Sequence, residues 1–492
     1  MTKLGVEVLT SETPQSAGTS QFTGQLFATV AAEYGPETTT LVRSLNEFVQ
    51  LYGPREATTL KGYDAVNAFF ALGGQRCYVS RCLGASIAAA KVELETTSTA
   101  KTLVLTAKYK GAYGNKIKYA VIEAESKTQL VIYNPEGEIL TKSPLFSKAS
   151  ELLEWGKEAA NEVYVLITEG SGYSSGKAEL VKKVTQTTLS GGVNPTTNKA
   201  ETVKAIELPA KALGPGQMLC TVPTTQFESG VWTAMAEQAL KTNRFALADM
   251  KKSEEASKTV AELKTEKETA TFSTLLGQYI AFFSTAVKAT GLTLGTERTI
   301  AASGVAAGLM AKVASGGNDN RAPAGPRWPI SPFVISLVNT YTEEQQNELN
   351  TAGINNISER HGILCLFGDV TATPQTKDLI FYQYSSSRER MRLVAEAEEI
   401  AERFLFATLD GRHQKRAKFQ GELQALIKAH WEVDALYGET ATEAGKVIVA
   451  EPVNTPTTEQ AGELNAEMIV RISPVAYAVK ILIVATPITE TA

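Results

Sequence analysis

From Leu103 to Tyr133 the chain consists of short strand-like segments separated by Gly and Asn, whereas on both sides of that block such segments are mixed with apolar residues at helical spacing. This change of rhythm constrains the fold more than any other feature. Leu103-Val104-Leu105-Thr106, Ile117 to Ile122 and Gln129 to Tyr133 read as strands of a separate, mostly-β unit. The flanks read as α/β material. A strand around Phe27 to Val30 precedes a short helix capped by Ser44, and Gly62 to Leu72 carries Tyr63, Val66, Ala68, Phe69 and Phe70 at helical spacing. A buried strand from Cys77 to Cys82 follows Gly73-Gly74. The same pattern resumes at Met218 to Val222, with a helix around Val231 to Thr242 and a strand at Phe245 to Asp249. The reading is a β-rich domain, residues 92–192, inserted between two parts of an α/β domain, 21–91 and 193–355.

The 492 residues exceed what one hydrophobic core holds, so about three or four domains are expected. A C-terminal α+β domain, 356–475, contains two long helical patterns, Arg388 to Thr408 and Arg412 to Leu436, broken by Asp410-Gly411, which predicts a helical hairpin. Strand candidates follow at Glu467 to Ile472 and Ala478 to Ala485, around Ser473-Pro474. Each chain end thus carries a lone strand: Gly5, Val6, Glu7, Val8 and Leu9 within an arm at 1–20, and Val479, Lys480, Ile481, Leu482, Ile483 and Val484 within an arm at 476–492. A lone strand must find its sheet elsewhere. Ser11 to Ser20 and Ser473-Pro474 read as linkers, Lys251 to Thr269 as a solvated helix, and the glycine-rich Ser303 to Gly325 as a surface or interface loop.

Catalytic chemistry is not legible. His361, His413 and His430 are too far apart for a local metal box; His430 falls on an apolar helix face as a core histidine, and His361 reads as a turn residue. Gly170 to Lys177 misses the phosphate-cradling pattern, having Ser171 and Ala178 where Gly and Ser or Thr are needed. Gly172-Tyr173-Ser174-Ser175-Gly176 spells a nucleophile elbow, but Glu169, Gly170 and Ser171 separate it from the strand that would have to present Ser174. A serine hydrolase using Ser174 and His361 is the enzymatic alternative. The other alternative is a different self-assembling particle or surface-layer protein. Four cysteines, Cys77, Cys82, Cys220 and Cys365, are too few for a disulfide framework and read as thiols. The net charge of −5 offers no general attraction for nucleic acid. The longest apolar stretch, Val475 to Val484, is interrupted by Lys480, so membrane insertion is not expected, and the N-terminus shows no secretory signal. No cofactor and no metal are expected.

Several short motifs, in order, resemble the contractile phage tail sheath family. They are Gly5-Val6-Glu7-Val8, Tyr34-Gly35-Pro36, Leu41 to Phe48 with Leu51-Tyr52-Gly53, and above all Ala65-Val66-Asn67-Ala68-Phe69-Phe70 leading through Gly73-Gly74 to Tyr78-Val79. Gly111-Ala112-Tyr113-Gly114-Asn115, Ser303 to Gly308, Ala322-Pro323-Ala324-Gly325 and Leu349 to Asn355 continue the resemblance. It implies a central subtilisin-like sheath domain with the inserted domain and terminal strand arms. It further implies a non-enzymatic subunit of stacked hexameric rings around a tail tube, meeting baseplate and tail terminator proteins in a virion or phage-like tail assembled in a bacterial cytoplasm. The hairpin would face the tube, with Arg388, Arg392, Arg412, Lys415, Arg416 and Lys418 offering breakable polar contacts.

Overall fold

The computed structural model describes residues 23–56, 59–158, 160–161, 164–293, 295–477 and 481. The strands expected at Gly5 to Leu9 and Ala478 to Ala485 lie outside the described residues, apart from Ile481, which is exposed.

Eight strands form the largest sheet, in the order Ile363–Phe367, Ile354–Arg360, Ile280–Phe283, Phe245–Ala248, Gln217–Cys220, Leu26–Val30, Cys77–Arg81 and Thr40–Val42. The six inner strands run parallel, and an antiparallel strand closes each edge. Parallel neighbours need crossover connections, which lay helices over both faces and make the strands apolar throughout. Leu26–Val30 shows this directly. Leu26, Ala28 and Val30 enter one core with Phe69 and Met310, while Phe27 enters a second core with Trp232 and Met235. Each large side chain buried in this way contributes about 1.5–3 kcal/mol. Cys77 and Cys82, an odd number of positions apart, fall in different cores, and all four cysteines are free and buried.

The structure corrects two expectations. Ile354–Arg360 pairs in parallel with Ile280–Phe283, Phe282 standing opposite Ile354, so the large sheet continues to Phe367 and past the expected α/β boundary at residue 355. A strand's periodicity carries no record of which sheet it joins. The glycine-rich stretch read as a loop is, over Ala302–Ala314, a helix buried at every residue except Lys312. It is apolar and buried on nearly all sides, so no one-sided stripe marks it. A Cβ on Gly304 would stand 2.8 Å from Ala65 Cα, and one on Gly308 2.8 Å from Leu72 Cβ. Bare backbone at these two positions is what lets this helix touch the Leu60–Ala71 helix.

Lys251 to Thr269 divides into Lys251–Glu254 and Val260–Lys267, the second started by a reciprocal Thr259/Glu262 capping box. It is only partly solvated: Val260 and Leu263 are buried, and the half-buried Lys267 ammonium lies on the Ala352 carbonyl, burial bringing its pKa down to about 8.

Residues Lys91 to Thr188 build two antiparallel sheets, one of Val184–Thr188, Lys118–Ala124, Lys127–Tyr133 and Ile139–Lys142, the other of Lys91–Glu95, Lys101–Ala107 and Val165–Glu169. Leu103, Leu105, Ile132, Leu153 and Ile167 share their core, and Tyr34 enters it from the α/β part, its ring 5.0 Å from Tyr109 and 5.2 Å from Tyr113. A fourth core lies between the hairpin helices, Tyr384–Glu402 and Gln414–Glu432, and a two-stranded sheet of Gly445–Ile448 and Glu467–Val470.

Candidate functional site

Three consecutive residues after the buried helix, Asn318, Asp319 and Asn320, tie together distant parts of the chain. Asp319 accepts from Arg388 Nη2 at 2.7 Å, with neither side chain exposed, and also from the hydroxyl of Thr23, at the start of the described chain. Asn318 donates to the Val433 carbonyl at 2.6 Å, and Asn320 to the carbonyls of Ala435 at 3.2 Å and Ser473 at 2.7 Å. The entry of the N-terminal segment, both helices of the hairpin and the exit of the C-terminal segment are thereby held at one buried point. The linker expected at Ser473-Pro474 is corrected accordingly. Ser473 also donates its N–H to Ala435 at 3.0 Å, and the Tyr477 hydroxyl donates to the Asp369 carbonyl at 2.6 Å. The sequence concealed this because the partners are remote: Asp319 and Arg388 are separated by 69 positions.

The first hairpin helix begins on buried polar groups rather than on a charged surface. Asp369 accepts the N–H and hydroxyl of Ser385 at its start, and burial raises the Asp369 pKa to about 7, against the pull of those hydrogen bonds. About one and three turns on, Glu389 and Glu396 hold His430 of the second helix between them, Nδ1 on Glu389 and Nε2 2.8 Å from Glu396. Burial alone would lower the His430 pKa; the two carboxylates outweigh it and push it up to about 9. Arg392 braces Glu396 at 2.9 Å. His430 is a core histidine, as its place on the apolar face indicated, and its companions are two carboxylates that periodicity did not reveal.

The six basic residues expected on one tube-facing surface separate. Arg388 is wholly buried against Asp319, so it presents no surface charge; its partner comes from outside the helix and was invisible to helical spacing. Arg392 is largely buried against Glu396, and Arg416 lies 2.9 Å from Glu459. Arg412, Lys415 and Lys418 are exposed, Lys418 within 3.9 Å of Glu422. Ser174 lies on a four-residue helix, Tyr173–Gly176, behind the Val165–Glu169 strand, whereas His361 occupies the turn between Ile354–Arg360 and Ile363–Phe367 in the eight-stranded sheet. The first follows a strand of the three-stranded sheet, the second joins two strands of the eight-stranded one. Among the described residues no cluster of three or more His, Cys, Asp or Glu could hold a metal ion, and no helix is long and apolar enough to cross a membrane.

Among the described residues the two-stranded sheet has one covered and one bare edge. Arg471 N–H bonds to the Ala444 carbonyl, and the alternation of an antiparallel ladder then turns Gly445 and Val447 outward on one side, Met468 and Val470 outward on the other. Gln424 and Gln420 of the second hairpin helix donate to the carbonyls of Gly445 at 3.2 Å and Val447 at 2.8 Å, closing that side. Among the described residues nothing pairs with the Met468–Val470 side. A two-stranded sheet is marginal alone, and an unpaired edge is a template for another strand.

No family model matches the chain, and no curated protein matches it by sequence. Solved structures do. The chain is similar to a sheath tail protein from Listeria innocua, with a TM-score of 0.61, 15% identity and 92% of this chain and 95% of that one covered. It is similar to a sheath tail protein from Desulfitobacterium hafniense with a TM-score of 0.59 and 13% identity, covering 90% and 93%. A contracted PVC sheath complex of an extracellular contractile injection system gives 0.55 and 14%, covering 94% and 92%. The likeness runs along nearly the whole of each chain. The fold of this protein is that of the contractile tail sheath proteins.

Proposed function

We propose that this chain is the structural subunit of a contractile tail sheath. It polymerises as stacked hexameric rings around a tail tube, between baseplate and terminator, and shortens to drive the tube through a cell envelope. The observation that carries the reading is the sheath fold, matched over nine-tenths or more of both chains, together with a sheet edge at Met468 and Val470 that no described residue pairs with. In this reading the eight-stranded sheet is the core of a subtilisin-like sheath domain, and residues 92–192 are its inserted domain. The terminal strands, residues 5–9 and 479–484, are arms that add to sheets of neighbouring subunits, and Met468–Val470 is a receiving edge. Main-chain hydrogen bonds then supply cohesion while alternating side chains set register.

Contraction in this scheme is a rigid-body rearrangement of bodies that stay stitched together. It is driven by the larger interfaces that form between them as a metastable extended state shortens, and it needs no nucleotide. A contact between like subunits that does not close on itself generates a filament. Lys415 and Lys418, three positions apart on the second hairpin helix, are the basic residues proposed to oppose the tube, since Arg388, Arg392 and Arg416 are engaged within the protomer. Electron microscopy of the purified protein tests the reading. Hollow striated tubes of uniform width are expected; flat sheets, closed shells or protein that stays monomeric at high concentration would overturn it.

A further inference from the structure

We propose that the tip of the helical hairpin of one protomer seats in a cleft at the far end of the same hairpin in a second copy of this chain. The proposal rests on the reading of the chain as a self-assembling subunit and names a contact that reading does not supply.

The tip is apolar and basic. Phe406 stands fully clear of its own chain in a left-handed conformation, φ 61°, and Leu405 beside it is 65% exposed. Two adjacent large apolar side chains this exposed mark a contact surface rather than scattered surface apolarity. Arg403 and Arg412 flank them, both exposed; Arg403 lies 3.4 Å from Glu422, and Arg412 makes no ion pair among the described residues. The carboxylate on the turn, Asp410, is occupied by the N–H groups of Arg412, Gln414 and Lys415 at 3.0–3.1 Å.

The other end of the second helix has the opposite character. There an open cleft of about 890 Å³ is lined by Trp431, Glu432, Asp434, Tyr437, Glu439 and Glu443, with Arg471 as its single cation. Tyr437 is 62% exposed, so an aromatic floor is available to an incoming ring while four carboxylates surround it. Aromatic contact at the centre with complementary charge at the rim is the anatomy of a specific protein interface.

Tip and cleft cannot meet within one chain. The Gln414–Glu432 helix holds them apart by its 19 residues, about 28 Å at helical rise. Tip and cleft are different surfaces, so the contact is heterologous, and where the second copy's tip does not return to the first copy's cleft it propagates head to tail.

Cross-linking tests it directly, because the four native thiols are buried. Chains carrying Phe406→Cys are mixed with chains carrying Tyr437→Cys and treated with a short bifunctional maleimide. The mixture is expected to give a covalent dimer that neither variant gives alone, and a chain with both substitutions a ladder of multimers. Arg412→Glu should reduce the mixed product several-fold at low salt, and Glu439→Lys in the partner should restore it. Absence of the mixed dimer, Phe406→Cys joining to itself, or its capture by a tube protein would overturn the proposal. Striated tubes without the mixed product would remove this contact and leave the sheath reading standing; the mixed product without tubes would do the reverse.

Discussion

Arg388 and Asp319 meet as an ion pair 2.7 Å long from which water is excluded on both sides. The same guanidinium donates to the Met310 carbonyl at 3.0 Å, near the end of the buried helix, and Asp319 also receives the Thr23 hydroxyl. The pair therefore fastens the hairpin, the α/β body and the N-terminal entry to one another. Buried charge is costly unless it is matched, so removing one partner is worse than removing both.

Asp319→Ala should lower the unfolding free energy of the isolated subunit by about 3–5 kcal/mol, and Asp319→Ala with Arg388→Met by distinctly less. Denaturant titration of the two variants and the parent checks this. Equal losses would show that the pair is not coupled.

His430 gives the hairpin a pH dependence. Its pKa is raised in the folded state, so its contribution is fully present below the unfolded value near 6.5 and is lost as pH rises through about 9. A shift of this size corresponds to roughly 3 kcal/mol. The denaturation midpoint should fall between pH 6.5 and pH 10, and His430→Gln should flatten that fall. The Lys267 ammonium, with its pKa lowered to about 8 by burial, is expected to push the other way, and both proteins carry it, so their difference isolates His430.

Gly308→Val should destabilise the subunit by at least about 1–3 kcal/mol, because the new side chain would meet Leu72 and the Phe69 carbonyl at under 3 Å before any relaxation. Thermal melts of Gly308→Val against a Lys312→Ala control, which changes the one position of that helix that is not buried, measure it.

Met468→Pro and Ile469→Pro separate folding from assembly. The Met468 N–H points out from the bare edge, so proline there removes no ladder bond within the subunit but blocks an added strand. Its melting temperature should stay within a few degrees of the parent, while polymerisation fails. Ile469 faces Lys446 across the ladder, and proline there should weaken the subunit itself.

The strands and helices that the sequence made legible are those whose pattern is local. Leu26–Val30, Lys101–Ala107, Lys127–Tyr133 and the two hairpin helices were all marked by apolar runs or by period, because burial on two faces, on one face or along a stripe each leaves its own spacing. Ala302–Ala314 was missed since a helix buried on nearly all sides, with glycines among its apolar residues, leaves none. Arg388 was read as a surface cation because arginine usually is one, and only the fold brings Asp319 to it. The covered and bare edges of the Gly445–Ile448 and Glu467–Val470 sheet depend on hydrogen-bond parity and on Gln420 and Gln424 lying across it, neither of which periodicity expresses.

The most direct measurement is a cryo-electron microscopy map of the assembled polymer, inspected beside Met468 and Val470. A strand from another protomer is expected there, paired with that edge. An edge left bare in the polymer, or filled by the terminus of its own chain, would contradict the stitched-sheath reading.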